Sequence, residues 1–102
     1  MVGWERPLVA RIADGDEKAL LELRDRLGDS IFNRALLITN DRMVATFVTT
    51  GVLMRVWRCP ADFAGRDLPA ALLSLAEQRA REWRSDPPPV VLRLLKQGAC
   101  DD

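Results

Sequence analysis

Two thiols, fifteen carboxylates and no histidine are the reactive groups in this sequence. Without imidazole the chain lacks the usual base near neutral pH and the commonest metal ligand. A zinc site needs four nitrogen or sulfur donors, and Cys59 and Cys100 are far apart with no Cys-x-x-Cys spacing. Both are expected to be reduced thiols. No glycine-rich phosphate loop and no Gly-x-Ser-x-Gly elbow occurs. The carboxylates fall mainly at helix starts and on polar helix faces, where solvation accounts for them. Trp4, Trp57 and Trp83 read as packing residues rather than a cofactor box. These residues point away from an enzyme: no catalytic residue, metal, cofactor or small-molecule substrate is expected.

Charge narrows the partners. Fifteen Lys and Arg balance fifteen Asp and Glu, so the molecule as a whole does not steer toward nucleic acid or anionic membrane. Residues 55–84 carry six basic and four acidic side chains, a small local excess. With 48% apolar and 29% charged residues over 102 positions, the chain supports one domain with a modest core. No apolar run approaches the ~20 residues that span a bilayer. The first residues carry no secretory apolar segment, so the expected compartment is the cytoplasm.

The elements that must position any site are legible from capping and periodicity. A first helix is expected over 5–13, with Pro7 in its first turn and Asp14-Gly15 as its stop. Asp16 caps a long second helix, whose Leu20, Leu23, Leu27, Ile31, Ala35 and Ile38 recur every three or four residues. Asn40 can turn left-handed and Asp41 can cap a third helix over about 42–58. That helix turns Ala45, Val48, Val52 and Val56 to one face. It is rich in β-branched residues, and Gly51 costs roughly 1 kcal/mol relative to Ala. Cys59-Pro60 ends it, and 60–66 reads as a loop. Asp67 and Pro69 start a fourth helix that places Leu72, Leu75, Ala76, Ala80 and Trp83 inward. Asp86 and Pro87-Pro88-Pro89 stop it. The fold expected is all-α, a bundle of three or four helices over 1–86 with a short appendage over 87–102. Val90, Val91, Leu94 and Leu95 in that appendage are expected to pack on the bundle or on a partner.

The order of the pieces carries a resemblance. Leu8-Val9-Ala10-Arg11-Ile12-Ala13-Asp14-Gly15-Asp16-Glu17-Lys18-Ala19-Leu20 looks like the opening of region 2 in extracytoplasmic-function sigma factors. Leu23-Arg24-Asp25-Arg26-Leu27-Gly28 follows, then Ala35-Leu36-Leu37-Ile38-Thr39-Asn40-Asp41, similar to that family's helix end and restart. Val52-Leu53-Met54-Arg55-Val56-Trp57-Arg58 resembles the end of its polymerase-binding helix. The run from Leu72 to Trp83 resembles the helix that reads the promoter −10 element. The likeness covers about residues 6–85. It implies a helical domain that binds the clamp helices of RNA polymerase and melts promoter DNA.

Carried over residue by residue, the resemblance names two surfaces. On the third helix the protein-partner positions are Phe47, Thr50, Gly51, Met54 and Arg55. Thr50 and Gly51 stand where the family has Gln and Glu. Phe47, Gly51 and Met54 therefore form an apolar group on a face expected to be outward, unless Phe47 tucks into the core. The occupant expected there is RNA polymerase core, another protein, or a second copy in a homodimer. The DNA positions are Phe63, Ser74, Gln78, Arg81 and Arg84. Phe63 can stack on a flipped base or anchor its loop. Gln78 can reach base edges. Arg81 and Arg84 can hold phosphates or form a solvated face in which Glu77 pairs with Arg81. Glu77-Gln78 replaces the family's Arg-Asn, and a carboxylate beside phosphate is unfavourable.

No helix-turn-helix follows residue 86, so nothing here is expected to read a −35 element, and a stand-alone region 2 protein is favoured over a truncated one. Two functions follow: a region 2 protein binding polymerase and −10 DNA, or a degenerate sigma-like interaction module, self-associating or partner-binding, without sigma activity.

Overall fold

The computed structural model describes residues 3–85, and the helices stop and start where the capping residues direct. The α1 helix (Glu5–Ala13) ends at Gly15, whose φ of 85° is the left-handed conformation that glycine accepts without a Cβ clash. Asp16 then opens α2 (Glu17–Thr39), its carboxylate accepting from the Lys18 N–H at 3.0 Å. Asn40, at φ 53°, closes α2. Asp41 opens α3 (Arg42–Arg58) by accepting from the N–H groups of Met43 and Val44, at 2.9 and 3.2 Å. Each carboxylate satisfies amides that the first helical turn leaves without partners.

The connection expected as a loop contains a single 3-10 turn (Pro60–Phe63), and α4 (Leu68–Ser85) follows. Asp67 accepts from the Ala70 N–H at 3.3 Å, so this boundary too is capped by a carboxylate. Among the described residues there is no strand, and the architecture is an all-helical bundle. The appendage, with Val90, Val91, Leu94 and Leu95, lies outside the described residues.

Helical period explains the core. Leu23, Ile31 and Ala35 of α2, Ala45, Val48, Val52 and Val56 of α3, and Leu72, Ala76 and Ala80 of α4 are all buried. The predicted stripes of α3 and α4 point inward, except that Leu75 is only half-buried. Alanines at four of these positions leave little side chain between the helices and allow close approach. The strong β-branched content of α3 thus reflects core packing that overrides its weak propensity.

Outside the core, α1 is tied to α2 by Arg11. Its guanidinium donates to Asp16 at 3.0 Å and to Glu22 at 3.2 Å. The Arg11 hydrogen bond, with help from the Lys18 amide, holds the Asp16 carboxyl below its ordinary value.

Two consequences can be measured. Asp41→Ala should cost about 1 kcal/mol, the usual worth of an N-cap. For a domain of this size that lowers Tm by roughly 4–8 °C, readable by far-UV circular dichroism. For Asp16 the folded pKa lies below the unfolded one, so its contribution is full above the ordinary carboxylate range and disappears as pH falls through the folded value. The fall of Tm with decreasing pH below about pH 4 should therefore be shallower in Asp16→Asn than in the wild type.

Candidate nucleic-acid interface

At the junction of the 60–66 connection with α3 and α4 lies a polar groove of about 350 Å³. It is lined by Arg55, Asp62, Phe63, Arg66, Ser74 and Gln78, together with Ala71 and Leu75. Three of the five residues expected at DNA meet here from two segments. The connection brings Phe63, and α4 brings Ser74 and Gln78, which lie one helical turn apart. Both α4 residues are exposed. Arg81 and Arg84 continue along the same side of α4 beyond the groove, and both are exposed. At 100° per residue, Ser74, Gln78, Arg81 and Arg84 fall within an arc of about 120°.

Phe63 is an anchor. Only 5% of it is exposed, and its ring belongs to the hydrophobic core. The Arg66 guanidinium lies 5.9 Å from the ring centroid and also donates to the Asp62 carbonyl at 3.3 Å. Little of the Phe63 face is left to stack on a base, so its role is to fix the turn that carries Asp62 and Arg66.

Two residues of the groove were not expected in it. Arg55, assigned to the partner face of α3, points instead to Asp62, at 3.4 Å. Arg66 was not singled out at all. Its only sequence signal was its place in the mildly basic stretch, three residues after Phe63. The groove therefore combines two guanidinium groups, a hydroxyl and an amide with one carboxylate. That set can hydrogen-bond a planar polar edge and hold an anionic group nearby.

Glu77, the residue that seemed least compatible with phosphate, is engaged. It pairs with Arg34 of α2, and Arg81 lies 3.7 Å from its other oxygen. Its charge is spent on the α2–α4 seam and on one turn of α4. Arg81 keeps 69% of its side chain exposed, so the pairing does not bury its cation.

The partner surface on α3 differs from expectation. Phe47 does not stand on an open face. It is half-buried and stacks on Trp83 of α4, with centroids 6.0 Å apart and an interplanar angle of 20°. Gly51 is buried, Met54 is half-buried, and Thr50 is exposed. The reason is the position of α4, which passes the N-terminal half of α3 with Trp83 against Phe47. A second correction concerns the cysteines. Cys59 is not a reduced thiol in this structure but is disulfide-bonded, and it is 7% exposed.

No described helix is long and apolar enough to cross a membrane. In comparison with known proteins, no family model, no curated protein and no solved structure matches the chain.

The stacked pair sets an expectation for Phe47→Asp. Placing a carboxylate against Trp83 should cost at least about 2 kcal/mol, the order found for burying an unpartnered polar group. The variant should show an earlier urea midpoint at every protein concentration. A midpoint shift that vanishes on dilution would instead make Phe47 a subunit contact.

Proposed function

We propose that the chain is a sigma factor region 2-like protein that acts in transcription initiation, contacting RNA polymerase through α3 and promoter −10 DNA through α4. The observation that carries the reading is the groove, which gathers Phe63, Ser74 and Gln78 beside Arg55 and Arg66. In this reading Gln78 supplies hydrogen bonds to a base edge, Arg81 and Arg84 take phosphates, and Phe63 supports the turn from beneath. The all-helical bundle is compatible with the same assignment, and the order of the resembling sequence segments supports it. On α3 the exposed Thr50 and the half-buried Met54 are the positions offered to polymerase.

One observation favours the second reading, an interaction module without sigma activity. Gly51, which stands where the family has a charged residue, is buried, so this position presents no side chain to a partner. Asp62 in the groove and the zero net charge weigh the same way.

Fluorescence anisotropy with a single-stranded −10-like oligonucleotide tests the DNA half. Weak, strongly salt-dependent binding is expected. Arg81→Ala/Arg84→Ala should lower the slope of log affinity against log salt by about 1.4, at ~0.7 per phosphate on a single strand. Gln78→Ala should relax base preference by about 1–3 kcal/mol. A pull-down with core RNA polymerase tests the other half, with retention of the wild type and loss in Thr50→Arg. Absence of both activities would leave the interaction module.

A further inference from the structure

We propose that the cavity between α1 and the 60–66 connection binds a small neutral amphiphile, an aliphatic chain ending in a hydroxyl, with the Glu5 carboxylate accepting its hydrogen bond. The inference stands apart from the sigma-like reading, since it involves neither DNA nor polymerase.

The cavity measures about 600 Å³, within the range of small-molecule sites and larger than the polar groove. Its origin is the size of the side chains around it. On α1, Glu5, Val9 and Ala13 recur every four residues, and Arg6 and Ala10 form the adjacent row, so one face of the helix lines the space. The connection, against which α1 packs, contributes Ala61, Ala64 and Gly65. A Cβ at Gly65 would meet no atom within 4 Å. The alanines of both segments are exposed, whereas Val9, Phe63 and Leu68, which also line the cavity, are buried. Short side chains on two packed segments thus leave a concave apolar surface in water. Covering that surface with an aliphatic chain is favourable in proportion to the area removed from water.

The charged residues of the wall decide the head group. Asp62 is paired with Arg55, and Arg66 donates to the Asp62 carbonyl. Arg6 and Arg58 are exposed to water. Glu5 is different: its Oε2 is buried, and among the described residues it has no hydrogen-bond donor. A buried acceptor without a partner carries a desolvation penalty that a donor brought by a ligand relieves. A carboxylate or phosphate head brings no donor and is repelled by Glu5. An ammonium head adds a further cation to a wall that already holds Arg6, Arg58 and Arg66. A hydroxyl supplies the donor and adds no charge. Asp62, Phe63 and Arg66 line both this cavity and the polar groove, so one short segment belongs to both sites.

The test is an amide NMR titration of the full chain with n-octanol, with octanoate and octylammonium as controls of equal chain length. Saturable shifts are expected at Val9, Ala10, Ala61 and Gly65. Octanol should bind about tenfold more tightly than either control, the worth of one hydrogen bond to a charged group. Glu5→Leu, which removes the acceptor and keeps the apolar wall, should weaken octanol binding about tenfold. Ala10→Phe fills the cavity from an exposed helix position and should abolish the shifts while far-UV circular dichroism stays that of the wild type. Ala61→Phe repeats that test from the connection. The proposal is overturned by absent shifts in the wild type, by octanoate or octylammonium binding as tightly as octanol, or by equal octanol affinity in the wild type and Glu5→Leu. Shifts unchanged in both phenylalanine variants overturn it as well.

Discussion

The core stripe of α2 has to be covered on two sides at once, by α3 and by α4, and most other features of the molecule follow from that requirement. A 23-residue helix is long enough to lay Leu23, Ile31 and Ala35 under both neighbours. Neither α3 nor α4 would be stable alone, since isolated helices of this length are marginal and α3 is handicapped by Gly51 and its β-branched run. What holds α3 is burial of Val48, Val52 and Val56. The alanines Ala35, Ala45, Ala76 and Ala80 make the cover close-fitting, so the three helices are locked in register by shape.

Register then decides the surface. With the core stripes facing inward, α4 is rotated so that Ser74, Gln78, Arg81 and Arg84 face out, and Trp83 comes against Phe47. The same rotation directs Glu77 to Arg34, which turns a carboxylate that would repel phosphate into a tie between α2 and α4. The pair is partly exposed and contributes little stability by the standard of surface ion pairs. Its effect is electrostatic: it removes an uncompensated negative charge from the side of α4 that carries Arg81.

The short connection between α3 and α4 sets the groove. Pro60 cannot continue α3, and Phe63 is driven inward by its size, so the backbone closes into one 3-10 turn around that anchor. Asp62 is left paired with Arg55 and Arg66 lines the same groove, so the turn becomes one wall of a polar groove rather than an open loop. An aromatic ring that looks suited to stacking is used for folding, and the polar residues around it form the surface.

Helix boundaries were legible in the sequence because they depend on groups only a few residues apart. Asp16, Asp41 and Asp67 cap amides two or three positions away, Gly15 and Asn40 take left-handed backbone, and Pro60 interrupts hydrogen bonding locally. The inward faces were legible for the same reason, since a 3.6-residue period is a property of one helix. Only the tertiary structure decided which outward residues meet. The stacking of Phe47 on Trp83, the pairing of Arg34 with Glu77 and the convergence of Arg55 with Asp62, Ser74 and Gln78 depend on how helices cross. That crossing is set by the joint fit of all the buried side chains.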